Sequence, residues 1–318
     1  MPEKIGNAVI IYNPTSGRRR ERRLDALREA EAILKDSGIE ASLLPTTGAG
    51  SATKLARDAV QHGCEMVVAC GGDGTINEVV NGIAGSRAPL AILPAGTANI
   101  LAKELGIPWS IPAAARLIAK GKLVRIALGQ ARWREKRDTG PAVPIQRYFL
   151  CVSGAGPDGA IVHAIDVANK LRIGILAYWF EGLRQFFTYP FPLFQIDSQE
   201  KQLTASLIVV GRTKNYGGPF RITTGASLFD NQFEIVAYDG RSRLRVLACL
   251  PAIWLGRLHQ VSGIHVWKTE RFTCQPMDGA QVFSQLDGDL ASALPVEFCL
   301  VPDALTLLVP AGVDTGKT

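Results

Sequence analysis

The cysteines of this sequence lack the spacing patterns that bind metals or build disulfide frameworks. No two of them form a CxxC pair, and no cysteine and histidine set has the spacing of a zinc site. Several lie in apolar runs, where a thiol behaves as a small core side chain. The pattern argues against a zinc module or a disulfide-rich secreted protein and favours the reducing cytoplasm. The six cysteines are Cys64, Cys70, Cys151, Cys249, Cys274 and Cys299.

Long hydrophobic runs are absent as well. No stretch reaches the roughly 18 consecutive apolar residues that a membrane-spanning helix needs. The apolar run at residues 8–12 is too short for a signal peptide. We therefore expect a cytoplasmic protein that is soluble or lies on a membrane surface without crossing it.

The sequence also lacks the marks of nucleic-acid binding, although it is basic. Its net charge of +6 is modest for 318 residues, but five arginines crowd into residues 18–23 around Glu21. Such a cluster can meet nucleic acid, anionic lipid or the phosphates of a nucleotide, or it can be the solvated start of a helix. No interleaving of aromatic and basic residues and no DNA-binding motif accompanies it. We therefore expect no nucleic-acid partner.

One stretch, residues 66–82, organises the chain. Residues 66–70 are an apolar run that predicts a buried parallel strand. The glycine-rich residues 71–74 follow, and glycines can adopt positive φ and let another molecule approach closely. Thr75 and Glu78 then fit the capping box at the start of a helix. Strand, glycine turn and helix start together predict an anion site, and phosphate is its expected ligand.

The glycine turn differs from two common nucleotide motifs. No lysine follows it, so it is not a Walker A loop, and its spacing is not the GxGxxG of dinucleotide folds. Asp73 lies between the glycines, where a purely structural turn has no need of a carboxylate but a metal ion or a reacting hydroxyl does. Glycine-rich turns that bind nothing also occur in α/β proteins, and glycine spacing alone leaves that alternative open.

The first half of the chain alternates strand and helix patterns. Polar turns follow four apolar segments, at residues 13–17, 46–50, 71–75 and 96–99. Such alternation predicts a parallel sheet, and the ligands of these sheets gather beyond the carboxyl ends of the strands. The helix after the first turn should run to about Asp36. Its predicted apolar stripe is Leu24, Leu27, Ile33 and Leu34.

The pattern changes in the second half, where short alternating segments are separated by polar turns. These indicate an antiparallel β domain of residues 128–302, with a charged loop at 133–139. A last strand at 305–310 should return to the first domain, which then comprises residues 1–127 and 303–318. The predicted strands are 124–130, 148–152, 203–210, 233–238, 264–268 and 271–275.

A helical insert is predicted at residues 169–189, with more large apolar side chains than one core-facing stripe requires. One interpretation is a helix buried on two sides between domains. The other is a surface that meets acyl chains or the membrane interface, helped by Lys170, Arg172 and Arg184.

Residues 71–82, GGDGTINEVVNG, and 94–99, PAGTAN, resemble the diacylglycerol kinase catalytic-domain family of lipid kinases. That family includes bacterial diacylglycerol and phosphatidylglycerol kinases and the sphingosine and ceramide kinases. The GGDGT element is shared with NAD kinases, so the specific resemblance depends on the whole set of motifs, which covers nearly the whole chain. The others are Asn13-Pro14-x-Ser16-Gly17, Thr46, Gly106-Ile107-Pro108, Gly154-x-Gly156-x-Asp158, residues 174–189, Asp287-Gly288-Asp289 and Val301-Pro302-x-Ala304-Leu305.

The resemblance implies a fold and a nucleotide site. The fold is an α/β N-terminal domain with a parallel sheet, as in NAD and diacylglycerol kinases, plus an antiparallel β-sandwich C-terminal domain. The chemistry would take place in the cleft between them, with Asp73 near Mg²⁺ and the reacting phosphate. The residues implied to contact ATP are Asn13, Thr46, Gly71, Gly72, Asp73, Gly74, Thr75, Ile76, Asn77 and Thr97.

The resemblance also implies two acidic sites, at positions where this sequence departs from the family. Asp289 stands where the family has a glutamate base that takes the proton of the lipid hydroxyl, and its carboxylate would reach roughly 1.5 Å less far. Asp230 would hold part of a structural Mg²⁺ site, although Asn231 replaces the family's glycine. Ile100 replaces an aspartate that many bacterial members carry.

The sequence thus predicts an ATP- and Mg²⁺-dependent kinase that phosphorylates a hydroxyl of a membrane lipid, such as diacylglycerol or a sphingoid base. Asp73 and Asp289 are its predicted catalytic residues. We expect peripheral contact with the membrane surface, and a homodimer is one oligomeric state open to it. Two alternatives are a kinase for a soluble acceptor such as NAD, and a non-catalytic protein that binds lipid or nucleotide.

Overall fold

The computed structural model describes residues 5–17, 22–135, 140–164, 188–217 and 220–316. The chain folds into two compact units, Met1–Leu128 together with Val301–Thr318, and Gly129–Leu300. Within the described ranges, no helix has the length and apolar character needed to cross a membrane.

The first unit alternates strands and helices, as the spacing of its polar turns predicts. Its last strands are residues 122–128 of β5 (Lys122–Glu135) and 301–309 of β18 (Val296–Val309). The elements before them are β1 (Asn7–Tyr12), α1 (Arg23–Asp36), β2 (Glu40–Pro45), α2 (Ser51–Gln61), β3 (Met66–Gly71), α3 (Asp73–Ile83), β4 (Leu90–Pro94), α4 (Ile100–Glu104) and α5 (Ile111–Ile118).

The predicted parallel sheet of this unit is confirmed. Its strand order is β2-β1-β3-β4-β18, and each neighbouring pair is parallel. All six residues of β3 are buried, as expected of a strand with neighbours on both sides and helices on both faces. Val68 pairs with Ile10 in β1 and with Ala91 in β4. Leu307 pairs with Leu90, so the last strand of the chain joins this sheet.

The buried face of α1 differs from the predicted stripe. Leu27 and Leu34 are buried, but Leu24 is 46% exposed, so its assignment to the core was wrong. Arg23 and Ala30 are buried with them. Arg23 can be buried because its guanidinium donates hydrogen bonds to backbone carbonyls of the preceding loop.

The second unit is built mainly of antiparallel strands. After residues 129–135 of β5, its elements are β6 (Val143–Phe149), β7 (Val152–Ala155), α6 (Pro157–Ala164), β8 (Phe194–Ser198), β9 (Gln202–Ala205), β10 (Leu207–Gly211), β11 (Asn215–Gly217), β12 (Phe220–Arg221), β13 (Phe233–Tyr238), α7 (Arg243–Ala248), α8 (Leu250–Trp254), a short 3₁₀ helix (Leu258–Gln260), β14 (Ile264–Thr269), β15 (Arg271–Pro276), β16 (Phe283–Leu286), β17 (Asp289–Ala293) and residues 296–300 of β18.

The predicted β-sandwich is confirmed in this unit. One layer is a six-stranded sheet in the order β14-β13-β10-β7-β16-β17, and the other contains β18-β15-β8-β9 and the β5-β6 hairpin. Both layers contribute to one apolar core. Phe149 stacks on Phe233 across it with ring centroids 5.6 Å apart, and Phe272 stacks on Phe298 at 4.7 Å.

Three predicted segments of this unit differ in the structure. Residues 148–152 are not one strand but the end of β6 and the start of β7, because the carboxylate of Asp287 takes the N–H groups between them. Residues 203–210 are β9 and β10, interrupted at Ser206, whose N–H donates to Tyr238 O. Residues 133–135 belong to β5 and not to a loop. Residues 136–139 and 165–187 lie outside the described residues, and the second range includes residues 169–187 of the predicted helical insert.

Candidate active site

Polar loops of the first unit meet at one edge of its sheet. They follow β1, β2, β3 and β4, whose parallel strands all end at that edge. The Asn13 N–H donates to Cys70 O at 3.0 Å, and the Ala95 N–H donates to Gly71 O at 2.9 Å. The predicted convergence of the four polar turns is therefore confirmed, and backbone hydrogen bonds join the loops after β1, β3 and β4.

Glycine lets three of these loops touch. A Cβ added to Gly96 would lie 2.3 Å from Gly72 Cα. A Cβ on Gly17, whose φ is +65°, would lie 2.3 Å from Ala95 O. Both distances are closer than any side chain permits, so only glycine allows the loops to approach in this way. The result is an edge lined by backbone.

The helix after the glycine turn begins three residues earlier than the capping box predicts. Gly72 is the N-cap and α3 starts at Asp73. Thr75 lies inside the helix and is buried against Gly71, where an added Cβ would be 2.5 Å from the threonine side chain. The predicted capping box of Thr75 and Glu78 was therefore wrong.

Glu78 caps the neighbouring helix instead. Its Oε1 accepts from the Gly50 N–H at 2.8 Å, and its Oε2 accepts from the Ala52 N–H at 3.0 Å. Gly50 is the N-cap of α2 and has a φ of 79°. The Thr53 hydroxyl donates to Glu78 O at 2.9 Å. The Glu78 carboxylate thus accepts hydrogen bonds from N–H groups at the start of α2 and offsets the positive end of its helix dipole.

The start of α3 has the features of a phosphate site. The first N–H groups of an α-helix, here those of residues 73–75, have no partner within the helix, and the helix dipole adds positive charge. Gly72 and Gly74 carry no side chain that would cover these groups. The helix is 11 residues long. Backbone donors at this point can therefore bind phosphate oxygens.

Asp73 has a structural task beside the glycine turn. Its Oδ1 accepts a hydrogen bond from the Ile100 N–H at 2.7 Å, at the start of α4. The assumption that a structural turn needs no carboxylate here was therefore wrong. Because Asp73 accepts from the backbone N–H of residue 100, this hydrogen bond does not depend on the side chain there and is formed with an isoleucine.

Asn99 joins the same two loops, although it was not among the predicted contacts. It is buried and has a left-handed φ of 43°. With its amide nitrogen toward Gly71 O at 3.0 Å, its oxygen accepts from the N–H groups of Gly96 and Ala95 at 3.1 and 3.2 Å. The side chain thus crosslinks the ends of β3 and β4. An asparagine between a small polar turn and a helix is the sequence pattern for such a residue.

The arginine cluster contributes to the β1 loop. Residues 18–21 lie outside the described residues, and Arg22 is exposed. Arg23 is buried, and its guanidinium donates to Asn13 O at 2.7 Å and to Ser16 O. The Oδ1 of Asn13 accepts from the N–H and the hydroxyl of Thr15, both at 2.8 Å. For Arg23, the interpretation as a solvated helix start was wrong.

The remaining predicted ATP contacts differ in exposure. Thr97 is exposed and Thr46 is partly exposed. Ile76 and Asn77 are buried, and the Asn81 amide donates to Asn77 Oδ1 at 3.1 Å. The Ile76 N–H donates to Gly72 O at 3.1 Å. The side chains of Ile76 and Asn77 are thus packed in the interior of the first unit.

The predicted base, Asp289, follows a two-residue turn in the second unit. Asp287 and Gly288 connect β16 to β17 with φ of 50° and 88°, as in a type I′ turn. The Asp289 side chain is 43% exposed, and its Oδ2 is 4.0 Å from an Arg147 nitrogen. Arg147 also donates to Leu290 O at 3.0 Å. An accessible carboxylate therefore lies beside a positioned guanidinium.

Asp287 positions this turn. Its carboxylate accepts from the N–H groups of Leu150, Cys151 and Val152 at 2.7, 2.9 and 2.9 Å. Its own N–H donates to Val152 O at 2.8 Å, and the residue is buried. Asp287 thus fastens the turn to the chain between β6 and β7, while Asp289 is the more accessible carboxylate.

A chain of hydrogen bonds links the turn to α6. Asp158 Oδ2 accepts from Gln285 Nε2 at 2.7 Å, and Gln285 Oε1 accepts from the Gly288 N–H at 2.7 Å. Burial raises the pKa of Asp158, and hydrogen bonds from Tyr216 and Gln285 oppose that shift. The sequence analysis missed Gln285 and Arg147. Gln285 lies two residues before the Asp287-Gly288-Asp289 motif, which is the one sequence indication of its role, and Arg147 belongs to no motif.

The loop around Asp230 does not fit a structural Mg²⁺. Its carboxylate Oδ2 bonds the Lys268 ammonium at 2.9 Å. The Arg212 guanidinium donates to the carbonyls of Asp230 and Leu228 at 2.9 and 2.5 Å. Burial lowers the pKa of Arg212 to about 10, which still leaves it charged at neutral pH. Side-chain cations thus bind one carboxylate oxygen and two carbonyl oxygens of this loop, and nowhere in the described ranges do three or more His, Cys, Asp or Glu residues group as metal ligands.

Two sequence families match the chain. Residues 7–131 match the diacylglycerol kinase catalytic domain, and residues 152–309 match the YegS C-terminal NAD kinase beta sandwich-like domain. The diacylglycerol kinase of Mycobacterium tuberculosis (strain ATCC 25618 / H37Rv) is 32% identical over 316 residues, 96% of each chain. The chain belongs to the diacylglycerol kinase family. The diacylglycerol kinase of Bacillus subtilis (strain 168) is 30% identical over 296 residues, 92% of each chain.

Family membership defines the reaction class. This family member is a lipid kinase, a phosphotransferase with an alcohol as acceptor, and the family uses ATP. A crystal structure of a diacylglycerol kinase from Bacillus anthracis str. Sterne is similar in fold. It has a TM-score of 0.74 and 22% identity, over 98% of this chain and 99% of that one. The two-domain fold of this lipid kinase, an α/β unit followed by a β-sandwich, is thus shared.

Proposed function

We propose that this lipid kinase transfers the γ-phosphate of Mg·ATP to a hydroxyl of a membrane lipid, with diacylglycerol as the first candidate acceptor. One observation carries the proposal: the backbone-lined start of α3, where Gly72 and Gly96 approach each other too closely for any side chain. Relatives that cover nearly the whole chain are named diacylglycerol kinase, which supports the choice of acceptor.

In the first unit, the chain's own groups would bind and orient the phosphates. The N–H groups at the start of α3 are fixed donors, so they need no rearrangement when negative charge develops on the phosphoryl oxygens. Asn13, Thr46 and Thr97 lie in loops at the same sheet edge and are assigned to the nucleotide. Asp73 is assigned to the region of the Mg²⁺ that arrives with ATP, because a carboxylate is a suitable ligand for that ion.

In the second unit, Asp289 is assigned as the general base. It takes the proton of the lipid hydroxyl as that oxygen bonds to the γ-phosphorus, and ADP leaves with its electron pair. Its side chain is 43% exposed, which lets an acceptor approach it. The neighbouring Arg147 guanidinium lies 4.0 Å from Oδ2.

The kinase would meet its acceptor at the membrane surface. Lipid acceptors with long acyl chains stay in the bilayer, so the enzyme has to associate with it peripherally. The rival proposal, a soluble acceptor such as NAD, rests on the GGDGT element that NAD kinases share. It predicts activity without lipid.

The test is transfer of labelled phosphate from ATP to diacylglycerol, phosphatidylglycerol, sphingosine, ceramide and undecaprenol, with NAD as the soluble acceptor. We expect diacylglycerol to be labelled. Asp289→Asn should lower the rate by about 10²- to 10⁴-fold while ATP binding by calorimetry is unchanged. The matched control is Asp278→Asn, an exposed aspartate in the turn before β16.

Gly96→Ala tests the nucleotide half of the proposal. The added methyl group would collide with Gly72, so ATP affinity should fall by about tenfold or more. Gly312→Ala is the control, because nothing lies within 4 Å of a Cβ there. Labelling of NAD but of no lipid would overturn the acceptor assignment, and a fully active Asp289→Asn would overturn the base.

A further inference from the structure

A pair of short helices covers the outer face of the six-stranded sheet in the second unit. They are α7 (Arg243–Ala248) and α8 (Leu250–Trp254), and neither contains a buried residue. Ser242 caps α7 by accepting from the Arg245 N–H at 3.4 Å. Cys249 ends the first helix and begins the second, and Pro251 lies in the first turn of α8. We call residues 241–257 the helix-pair surface.

The inner side of this pair is anchored. Cys249 and Leu258 are buried in an apolar cluster with Val209 and Val236 of the sheet. Ala252 and Ile253 of α8 pack against the same cluster. The opposite faces of the two sheet strands, such as Ile208 and Ile235, belong to the sandwich core. The helices are therefore held against the sheet, and their outward side is a defined surface.

That outward side is apolar. Leu244 is 77% exposed, Trp254 79% and Leu255 67%, and Leu250 is exposed beside them. They make up four of the eight exposed large hydrophobic side chains among the described residues. An exposed apolar cluster of this kind, with a tryptophan in it, is the mark of an interaction surface. Tryptophan is typical of the boundary between water and lipid.

The same surface carries charge of one sign. Arg241, Arg245 and Arg257 lie on it, and none of residues 241–257 is an aspartate or glutamate. Basic residues next to exposed tryptophan and leucine match the chemistry of an anionic membrane, where phosphates lie just above the acyl chains.

We propose that the helix-pair surface is the part of this enzyme that docks on membranes containing anionic phospholipid. Trp254, Leu255, Leu250 and Leu244 insert at the level of the headgroups, and the arginines bind lipid phosphates. The proposal rests on the proposed function, because an acceptor held in the bilayer requires the kinase to reach it. The sequence analysis placed membrane contact at 169–189 and did not single out this segment.

A second copy of the chain is the less favoured occupant. A symmetric dimer through this surface would place the same arginines of both subunits against each other, since a two-fold interface pairs a patch with itself. No aspartate or glutamate within residues 241–257 would offset that repulsion. An anionic lipid surface offsets it.

The test is sedimentation of the full-length enzyme with vesicles of phosphatidylcholine alone and of phosphatidylcholine with phosphatidylglycerol. We expect binding to the mixed vesicles that weakens with salt. Trp254→Gln/Leu255→Gln should weaken it by about tenfold or more. The matched control, Trp109→Gln/Leu123→Gln, changes two exposed apolar residues of the other unit and should bind like the wild type.

A second pair of variants tests the charge. Arg241→Gln/Arg245→Gln should lower binding to mixed vesicles and reduce its dependence on salt. Its control is Arg57→Gln/Arg87→Gln, two exposed arginines of the first unit. Brominated acyl chains in the vesicles should quench the emission of Trp254, and Trp254→Phe should remove most of that quenching while Trp109→Phe does not.

Several results would overturn the docking proposal. These are unchanged vesicle binding of Trp254→Gln/Leu255→Gln, equal binding to neutral and anionic vesicles, or a dimer by light scattering that Trp254→Gln/Leu255→Gln dissociates. Short-chain diacylglycerol dispersed without vesicles separates this proposal from the proposed function. If the wild type phosphorylates short-chain diacylglycerol but Trp254→Gln/Leu255→Gln binds vesicles like the wild type, the docking proposal is wrong and the proposed function stands. If the wild type binds vesicles but phosphorylates no lipid, only the proposed function fails.

Discussion

Glu78 of α3 and Ala52 of α2 are joined by a hydrogen bond of 3.0 Å from the Ala52 N–H to the glutamate Oε2. The other carboxylate oxygen binds the Gly50 N–H at 2.8 Å. The side chain that the sequence pattern assigns to its own helix start thus fastens two neighbouring helices to each other. The proposed phosphate site lies one turn earlier on the same helix, so this contact also supports the position of that helix start.

Glu78→Ala should therefore destabilise the first unit. It leaves two N–H groups at the start of α2 without their charged acceptor, and we expect a loss of about 1.5–3 kcal/mol in the free energy of unfolding. Urea denaturation measures it. Glu29→Ala is the control, because Glu29 forms an exposed ion pair with Arg116, and its loss should cost at most about 1 kcal/mol. Equal losses for the two variants would contradict the capping role.

Asp73→Asn should separate the structural and the proposed catalytic task of Asp73. Asparagine keeps an oxygen that can accept the Ile100 N–H, so stability should change by less than about 1 kcal/mol, whereas Asp73→Ala should cost about 1–3 kcal/mol. Because the charge is lost in both, lipid phosphorylation should fall at least about 100-fold in both. Thermal melting and labelled-phosphate transfer measure the two effects. A fully active Asp73→Asn would limit this residue to its structural task.

The stability of the second unit should not depend on Mg²⁺. Lys268 and Arg212 already hold the oxygens of the Asp230 loop, so neither millimolar Mg²⁺ nor EDTA should shift the melting temperature of the wild type. Lys268→Met should lower the free energy of unfolding by up to about 1 kcal/mol, because its ion pair is largely solvated. Scanning fluorimetry in both buffers measures this. A melting point that falls on chelation would restore a metal to this loop.

Asp158 should make the protein less stable as the pH rises. Burial raises its pKa in the folded state above the ordinary value, so the folded state binds the proton more tightly than the unfolded state. That penalty is absent below the unfolded pKa, grows through the interval between the two pKa values, and is complete above the folded one. Asp158→Asn can still accept from Gln285 and removes the titration. Urea unfolding from pH 4 to 8 should show the variant gaining stability over the wild type as the pH rises, and a constant difference would contradict the shift.

Residues 66–75 show how much of the proposed nucleotide site can be predicted from the sequence. The apolar run of β3, the glycine turn and the helix after it are local features, and alternation with other such segments implies a parallel sheet whose loops share one edge. The start of α3 was misplaced by three residues. The sequence is compatible both with a capping box at Thr75 and with a helix that begins at Asp73. Only the packing of Thr75 on Gly71 distinguishes the two.

Helix and strand periods, turn residues and the order of the motifs lie in the amino-acid order itself, because each arises from backbone preferences over a few residues. That order therefore determined the α/β unit, the β-sandwich and the kinase family. The tertiary structure decided which partners the polar side chains take: Glu78 with α2, Asp73 with Ile100, Asp230 with Lys268. It also decided that Trp254 and Leu255 face solvent. These outcomes depend on residues that lie far apart in the chain, and their free energies are set by burial and distance, which folding alone creates.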